Sequence, residues 1–254
     1  MPPIVMRRDG LSPSIPNDPQ EPMVRSSSDT LIQSFTHPPG KVYLIHGDRT
    51  IFSLSLTMAS AAIARGASIA VVDGGNRFDA HLIARFAREH RIDPSQLLSR
   101  IFISRGFTCY QMEQAITGRL PAFLRSRGAT TAMIFNPLET FYDQQAPFRE
   151  VQHILVRVLR SLEQMKREGI SVLLACLDRT LWPEERNRLF PMLASGVDRT
   201  FRLAYDEQQH AVLELEQSRS PSLQPSSIIH PSSPSGQGEH HGTHRTNIHQ
   251  HHRQ

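Results

Sequence analysis

The sequence predicts an α/β fold with a mostly parallel central sheet flanked by helices and a C-terminal β-hairpin. Between residues 37 and 216, short apolar runs alternate with longer segments whose apolar residues recur at helical spacing. Several of the short runs are apolar almost throughout, which is typical of strands buried on both faces. Strands that alternate with helices in this way pair in parallel, with the helices packed on both faces of the sheet.

The first half of this region contains three predicted strands and the helices between them. KVYLIHG predicts a strand, and SLSLTMASAAIARG predicts a helix that ends at Gly66, a residue type common at helix ends. SIAVVDGG predicts a second, buried strand. FDAHLIARFAREH predicts a helix that begins near Asp79, IDPSQLLSR resembles a short capped helix, and IFISRG predicts a third strand.

The second half continues the alternation and ends in a hairpin. YQMEQAITGRLPAFLRSRG predicts a helix that bends near Gly118 and Pro121. TTAMIFNP and SVLLACLD predict strands on either side of a long amphipathic helix, PFREVQHILVRVLRSLEQMKREG. VDRTFRLAYDEQQHAVLELEQ predicts a β-hairpin with strands over 200–205 and 211–215. The ligand crevice of such a sheet is expected at the carboxyl ends of its strands.

Composition divides the chain into three parts. Residues 1–36 are rich in Pro and Ser, residues 217–254 are first Ser/Pro-rich and then His-rich, and both are expected to be disordered around a core domain over 37–216. The His-rich tail has no fixed ligand geometry, so we predict no metal site there. The two cysteines, the absence of an export signal and the absence of a membrane-length apolar stretch indicate a cytoplasmic protein without a membrane partner.

The segment IHGDRTIFSLSL has the strand, glycine, loop and helix layout of a phosphate-binding loop. Counted as G-x-x-x-x-G-K-[ST] from Gly47, however, the second glycine is Phe52, the lysine is Ser53 and the hydroxyl residue is Leu54. The loop is therefore degenerate. Its candidate nucleotide-binding residues are Gly47, Asp48, Arg49, Thr50 and Ser53.

The order of these phrases resembles the core of the RecA/RadA recombinase family. The most specific stretch is IAVVDGGNRFDAHLIARFAREHRIDPSQLLSRIFISRGF. It is similar to the family's segment in which a D-T-E-G-T-F-like turn, a helix, a D-P-x-x-x-L phrase and a strand ending in an R-x-F-like sequence follow one another. Residues 131–178 match the family in layout. The resemblance covers residues 40–216 and implies a RecA-like P-loop NTPase fold.

The resemblance also assigns positions for ATP hydrolysis, and this chain departs from the family at each of them. Hydrolysis needs a lysine on the phosphates, a hydroxyl on magnesium and catalytic carboxylates. The family's catalytic glutamate falls on Gly75, and its Walker B aspartate falls on Asn136. We therefore expect the fold without the chemistry, with no catalytic residue, cofactor or metal.

In the family, the loops after the fourth and fifth strands face DNA, and here these loops are residues 137–148 and 178–190. The first is acidic. The second combines cations with an aromatic side chain, a mixture suited to phosphate contact and base stacking, at Arg179, Trp182, Arg186 and Arg188. Glu184 and Glu185 lie among them, so an ordinary polar surface loop is the alternative.

The resemblance thus implies a non-catalytic accessory protein in homologous recombination, DNA repair or damage-induced mutagenesis. Its expected partners are a recombinase or a repair or mutagenesis factor, with single-stranded DNA as a further candidate, and its expected place is the nucleoid, or the nucleus of a eukaryote. Filament-forming members dock an F-x-x-A segment from the linker onto a neighbour's sheet edge. In the segment ahead of the core, Phe35 is followed by Thr36, His37 and Pro38, so no self-filament is expected. One alternative is a divergent ATPase that uses Arg49 as the phosphate cation, with Asp48 and Asp73 nearby. Another is a regulatory module of the KaiC-like or DnaB-like type.

Overall fold

A computed structural model of the protein describes residues 39–181, 184–209 and 211–218. These residues form one seven-stranded sheet with the strand order β3-β2-β4-β5-β1-β6-β7. The strands are β1 (Val42–Gly47), β2 (Ile69–Asp73), β3 (Ile101–Arg105), β4 (Thr131–Phe135), β5 (Ser171–Leu177), β6 (Arg199–Tyr205) and β7 (Ala211–Ser218). The predicted α/β class, with a mostly parallel sheet flanked by helices, is confirmed.

Strands β1 to β6 all run parallel, and β7 returns antiparallel to β6. The predicted C-terminal hairpin is therefore present. Its second strand continues to Ser218, past both the predicted strand end at 215 and the predicted domain boundary at 216. Because β5, β1 and β6 are neighbours, the hairpin adjoins the strand that carries the degenerate phosphate loop.

Seven α-helices connect or flank these strands in the described residues. They are α1 (Thr50–Ala64), α2 (Ala80–Glu89), α3 (Pro94–Leu98), α4 (Cys109–Gln114), α5 (Leu120–Arg127), α6 (Phe148–Arg167) and α7 (Leu189–Ser195). Short 3₁₀ segments occupy Pro137–Phe141 and Glu184–Arg188. The bend predicted near Gly118 and Pro121 is a π-helical turn, Ala115–Arg119, between α4 and α5. Pro121 lies in the first turn of α5, where a missing N–H costs little.

The sheet separates two hydrophobic clusters. Successive strand residues point to opposite faces, so Leu44 packs with one cluster and Ile45 with the other. Helices α4 to α7 cover the face of Leu44, and α1 to α3 cover the face of Ile45. Strands β1, β2, β4 and β5 are buried along their whole length. This explains why their sequences are apolar runs without polar alternation.

The turn from β1 into α1 requires glycine at position 47. Gly47 has φ +149°, in the region that favours glycine, and an added Cβ would lie 2.8 Å from the Cβ of Leu203. The close approach exists because β6 pairs directly with β1. Gly47 is thus fixed by backbone geometry and sheet packing, without any reference to a ligand.

We expect Gly47→Ala to lower the free energy of unfolding by roughly 1–3 kcal/mol, since it adds both backbone strain and a steric clash. Gly118→Ala is the matched control, because an added Cβ there meets nothing within 4 Å. Alanine has the higher helix propensity, so the control should gain up to about 1 kcal/mol. Urea denaturation of both variants measures the difference, and equal stabilities would contradict the described turn.

Candidate functional site

The carboxyl ends of four neighbouring parallel strands form the edge at which a ligand crevice was predicted. In sheet order β2, β4, β5 and β1, these strands lead into Asp73, Asn136, Asp178 and Gly47. The structure therefore brings Gly47, Asn136 and the turn that contains Gly75 to one edge of the sheet. The polar groups at this edge are used differently from those of a nucleotide-binding site, as their hydrogen bonds show.

The turn between β1 and α1 consists of Asp48 and Arg49 alone. The three amides that begin α1 are already hydrogen-bonded. The Thr50 amide donates to Asp48 Oδ1 at 2.7 Å, while the amides of Ile51 and Phe52 donate to the carbonyls of Asp48 and Arg49, each at 3.3 Å. A phosphate-binding loop curls around its ligand and donates free amides to it. These three amides are engaged within the turn itself.

A carboxylate occupies the start of α1. Tyr205 of β6 donates its hydroxyl hydrogen to Asp48 Oδ2 at 2.6 Å, and the same hydroxyl lies 3.0 Å from Thr50 Oγ1. Burial raises the pKa of Asp48, but the hydrogen bonds from Tyr205 and Thr50 outweigh it and leave that pKa below its usual value. The hydrogen bond to Asp48 raises the pKa of Tyr205 in turn. Negative charge is favourable at a helix N-terminus, and here the chain supplies it.

The residues at the glycine and hydroxyl positions of the phosphate-loop motif belong to the hydrophobic core. The Phe52 ring packs against Phe135 with centroids 5.7 Å apart, and the Arg77 guanidinium lies 5.6 Å from the Phe52 ring centroid. Leu54 is buried in the same cluster. Of the remaining candidate residues, Ser53 is half-buried within α1 and Arg49 is exposed.

The DGGNRF turn after β2 is organised by the buried carboxylate of Asp73. Its oxygens accept hydrogen bonds from the amides of Gly75 at 3.3 Å, Arg77 at 2.9 Å and Phe78 at 3.1 Å, and Arg105 Nε lies 3.8 Å away. An added Cβ on Gly75 would lie 3.0 Å from Asn136 Nδ2. The turn therefore packs closely against the end of β4, where the family's glutamate side chain would need room.

Asn136 joins the ends of β4 and β5. It is buried and adopts a left-handed conformation with φ +47°, which Asn tolerates better than most residues. Its backbone amide donates to the Ala175 carbonyl at 2.7 Å, and its Oδ1 accepts from the Leu177 amide at 3.3 Å. Its Nδ2 donates to Glu139 Oε2 at 2.8 Å. The Walker B-like position thus has a structural role between two strands.

Three of the four large hydrophobic side chains exposed in the described residues lie on or just after the edge strand β3. They are Ile103, Phe107 and Tyr110, exposed by 44%, 74% and 49%, and together we call them the edge patch. Among the described strands, β3 pairs only with β2. Phe107 also borders a cleft of about 270 Å³ that Asp73, Asn76, Glu139 and Asp143 help to line.

The predicted DNA-contacting residues have different environments. Arg179 is exposed and forms an ion pair with Glu139 at 3.0 Å, and Arg188 is exposed at the end of its 3₁₀ segment. Arg186 is a correction: it is 3% exposed and donates to the carbonyls of Phe141 at 2.6 Å and Ala146 at 2.7 Å. Its guanidinium ties the loop to the core and has no surface for a phosphate. Trp182 lies outside the described residues.

Sequence reasoning passed over His46, the residue before Gly47. Its ring is buried between Asp178 and Glu216, with a nitrogen 2.6 Å from an oxygen of each carboxylate. The only sequence signal was a histidine at the end of an otherwise apolar strand. Nothing in its neighbourhood along the chain indicates either partner.

No protein-family model matches this chain, and neither does any protein in the curated set to which it was compared. Among the described residues, no group of three or more His, Cys, Asp and Glu side chains is arranged to hold a metal ion. Within the same ranges, no helix has both the length and the apolar character needed to cross a bilayer.

Replacing Arg186 by Met should lower the free energy of unfolding by roughly 2–4 kcal/mol, because two buried carbonyls lose their donors. Arg188→Met removes an equal charge from an exposed position nearby, and we expect it to change stability by less than about 0.5 kcal/mol. Guanidinium denaturation at fixed salt compares the two. Similar small losses of stability for both variants would mean that the buried hydrogen bonds of Arg186 do not stabilise the fold.

Proposed function

We propose that this chain is a non-catalytic RecA-like accessory protein that acts by binding a protein partner in homologous recombination, DNA repair or damage-induced mutagenesis. One observation carries the non-catalytic part: α1 begins directly after β1, with its first amides hydrogen-bonded and the Asp48 carboxylate in front of them. A nucleotide phosphate would have to displace this carboxylate and would still find Ser53 where a lysine is needed. The position therefore favours no bound nucleotide.

The edge patch supports binding to a partner. An unpaired edge strand offers main-chain hydrogen bonds, and exposed aromatic side chains offer apolar area that is favourable to bury. Phe107 is the strongest candidate anchor because about three quarters of its surface is exposed, at 74%. Interface energy is concentrated in a few such anchors, with large aromatic residues prominent among them.

The resemblance supplies the process and the proposed partner. In the family that the sequence resembles, active members assemble by docking a segment onto a neighbour's sheet edge. The F-x-x-A match of this chain, residues 201–204, lies inside β6 and is not a linker segment, but among the described strands β3 is paired on one side only. A RecA-type recombinase or an associated repair factor is therefore the partner that we propose, which would place the protein at the nucleoid or, in a eukaryote, in the nucleus.

Direct contact with single-stranded DNA would be a weak addition to this role. With Arg186 inside the fold, Arg179 and Arg188 are the arginines of the predicted loop that remain at the surface, and Arg179 already pairs with Glu139. Two arginines on phosphates would give a slope of roughly −1.4 in log K against log salt concentration. We propose binding through protein as the main interaction for this reason.

The purified protein is expected to show neither ATP hydrolysis nor a thermal shift with millimolar Mg-ATP. A ligand at a hundred times its dissociation constant would stabilise the fold by about 2.7 kcal/mol, so binding would be visible in a melt. A shift that Arg49→Ala abolishes would instead support the divergent ATPase. Arg65→Ala, at an exposed position beyond the other end of α1, is the charge-matched control.

The partner is tested with the RecA-type recombinase of the same organism, assembled on single-stranded DNA. The full-length protein should co-sediment with these filaments, and Phe107→Ser should weaken binding at least about tenfold, as expected for an interface anchor. His153→Ser, at an exposed position of α6, is the control and should bind as the parent does.

Circular dichroism and thermal melts should show that both variants remain folded. If Phe107→Ser binds as tightly as the parent, the edge patch is not the binding surface. If the parent itself does not sediment with the filaments, a recombinase filament is not the partner.

A further inference from the structure

His46 connects three parts of the chain that are distant in sequence. It is 5% exposed near the end of β1. Its Nδ1 lies 2.6 Å from Asp178 Oδ1, directly after β5, and its Nε2 lies 2.6 Å from Glu216 Oε2 on β7. The Phe190 ring of α7 packs against the imidazole with centroids 5.0 Å apart. Asp178 begins the loop predicted to face DNA, but neither carboxylate is among the residues predicted to bind nucleotide or contact DNA.

With both acids ionised, the two contacts require a particular form of the ring. An ionised carboxylate only accepts hydrogen bonds, and a neutral imidazole has a single N–H, so it can donate to one of the two acids. An imidazolium has an N–H on each nitrogen and donates to both. Hydrogen bonds between two charged groups are also stronger than neutral ones. The proton on His46 is therefore what allows both carboxylates to be held at the same time.

The remaining groups around the ring define the electrostatic setting. Cys176 of β5 and Arg202 of β6 lie in register with His46, and Glu214 of β7 lies in register with Arg202. Tyr142, whose pKa burial raises, interacts electrostatically with Cys176 and Asp178. Arg202 is a cation in this group, and Asp178, Glu214 and Glu216 are its anions.

We propose that the proton on His46 is a latch that holds Asp178 and β7 together on the end of β1. When solvent takes the proton, the neutral ring keeps one N–H and turns a lone pair toward the other carboxylate. That carboxylate then turns to water, which is accessible because the side chains of Asp178 and Glu216 are 43% and 41% exposed. Loss of the proton thereby releases either the segment that begins at Asp178 or β7 from the end of β1. This proposal does not depend on the proposed function.

Nuclear magnetic resonance on the full-length protein tests the latch with two readouts in one sample. Long-range nitrogen–proton spectra report which ring nitrogens of His46 are protonated as pH is raised from about 5.5 to 9. Amide exchange, expressed as protection factors, reports the two held segments. The Asp178 amide is the first reporter because it donates to the Gly47 carbonyl at 2.9 Å, and the amides beside Glu216 are the second.

We expect both ring nitrogens to carry protons at the low end of this range, and protection at Asp178 or beside Glu216 to fall about tenfold as one proton is lost. His46→Gln should show the low protection at every pH. His90→Gln is the control, since His90 is an exposed histidine beside α2, and it should keep the parent's pH response.

Two further variants keep the test decisive if His46→Gln fails to fold. Asp178→Asn and Glu216→Gln each remove one carboxylate at a partly exposed position and leave the ring in place. Each should make its own reporter insensitive to the protonation of His46. The proposal is overturned if the His46 ring has a single N–H throughout the pH range. It is also overturned if protection at both reporters stays unchanged when the ring goes from two N–H groups to one. Neither readout needs a partner protein, so the result is separate from the recombinase experiment.

Discussion

The burial of the central strands on both faces is the constraint on which the rest of this structure depends. Strands β1, β2, β4 and β5 have no solvent-facing side, so the polar groups that follow them need partners at the carboxyl edge. Asp73 accepts from three backbone amides and Asn136 bridges two strands. In this chain, the edge where an α/β sheet usually binds its ligand is instead largely satisfied by the protein's own side chains.

The turn between β1 and α1 is another place where the protein's own side chains satisfy the polar groups at the carboxyl edge. Large apolar residues, Phe52 and Leu54, stand at the glycine and hydroxyl positions of the predicted phosphate-loop motif. Phe52 and Leu54 are both buried in the cluster beneath α1. The helix can then begin at once after β1, with the Asp48 carboxylate at its start and Tyr205 holding that carboxylate.

Among the described residues, most of the exposed large hydrophobic side chains lie at another edge of the sheet. Among the described strands, β3 pairs with β2 alone, and the edge patch exposes apolar area that the described residues do not cover. Exposed apolar groups near an unpaired strand favour association, whereas the satisfied polar groups at the carboxyl edge do not.

The sequence by itself determined the alternating strands and helices, the terminal hairpin and the absence of the phosphate-loop lysine. Apolar periodicity and turn residues are local signals, so they can be read along the chain. Only the tertiary structure decided that Arg186 is a buried tie, because its acceptor at Phe141 lies 45 residues away. The His46 contacts are the stronger case, since Asp178 and Glu216 are 132 and 170 residues away. Contacts of this kind depend on which strands become neighbours in the sheet, and local patterns do not encode that order.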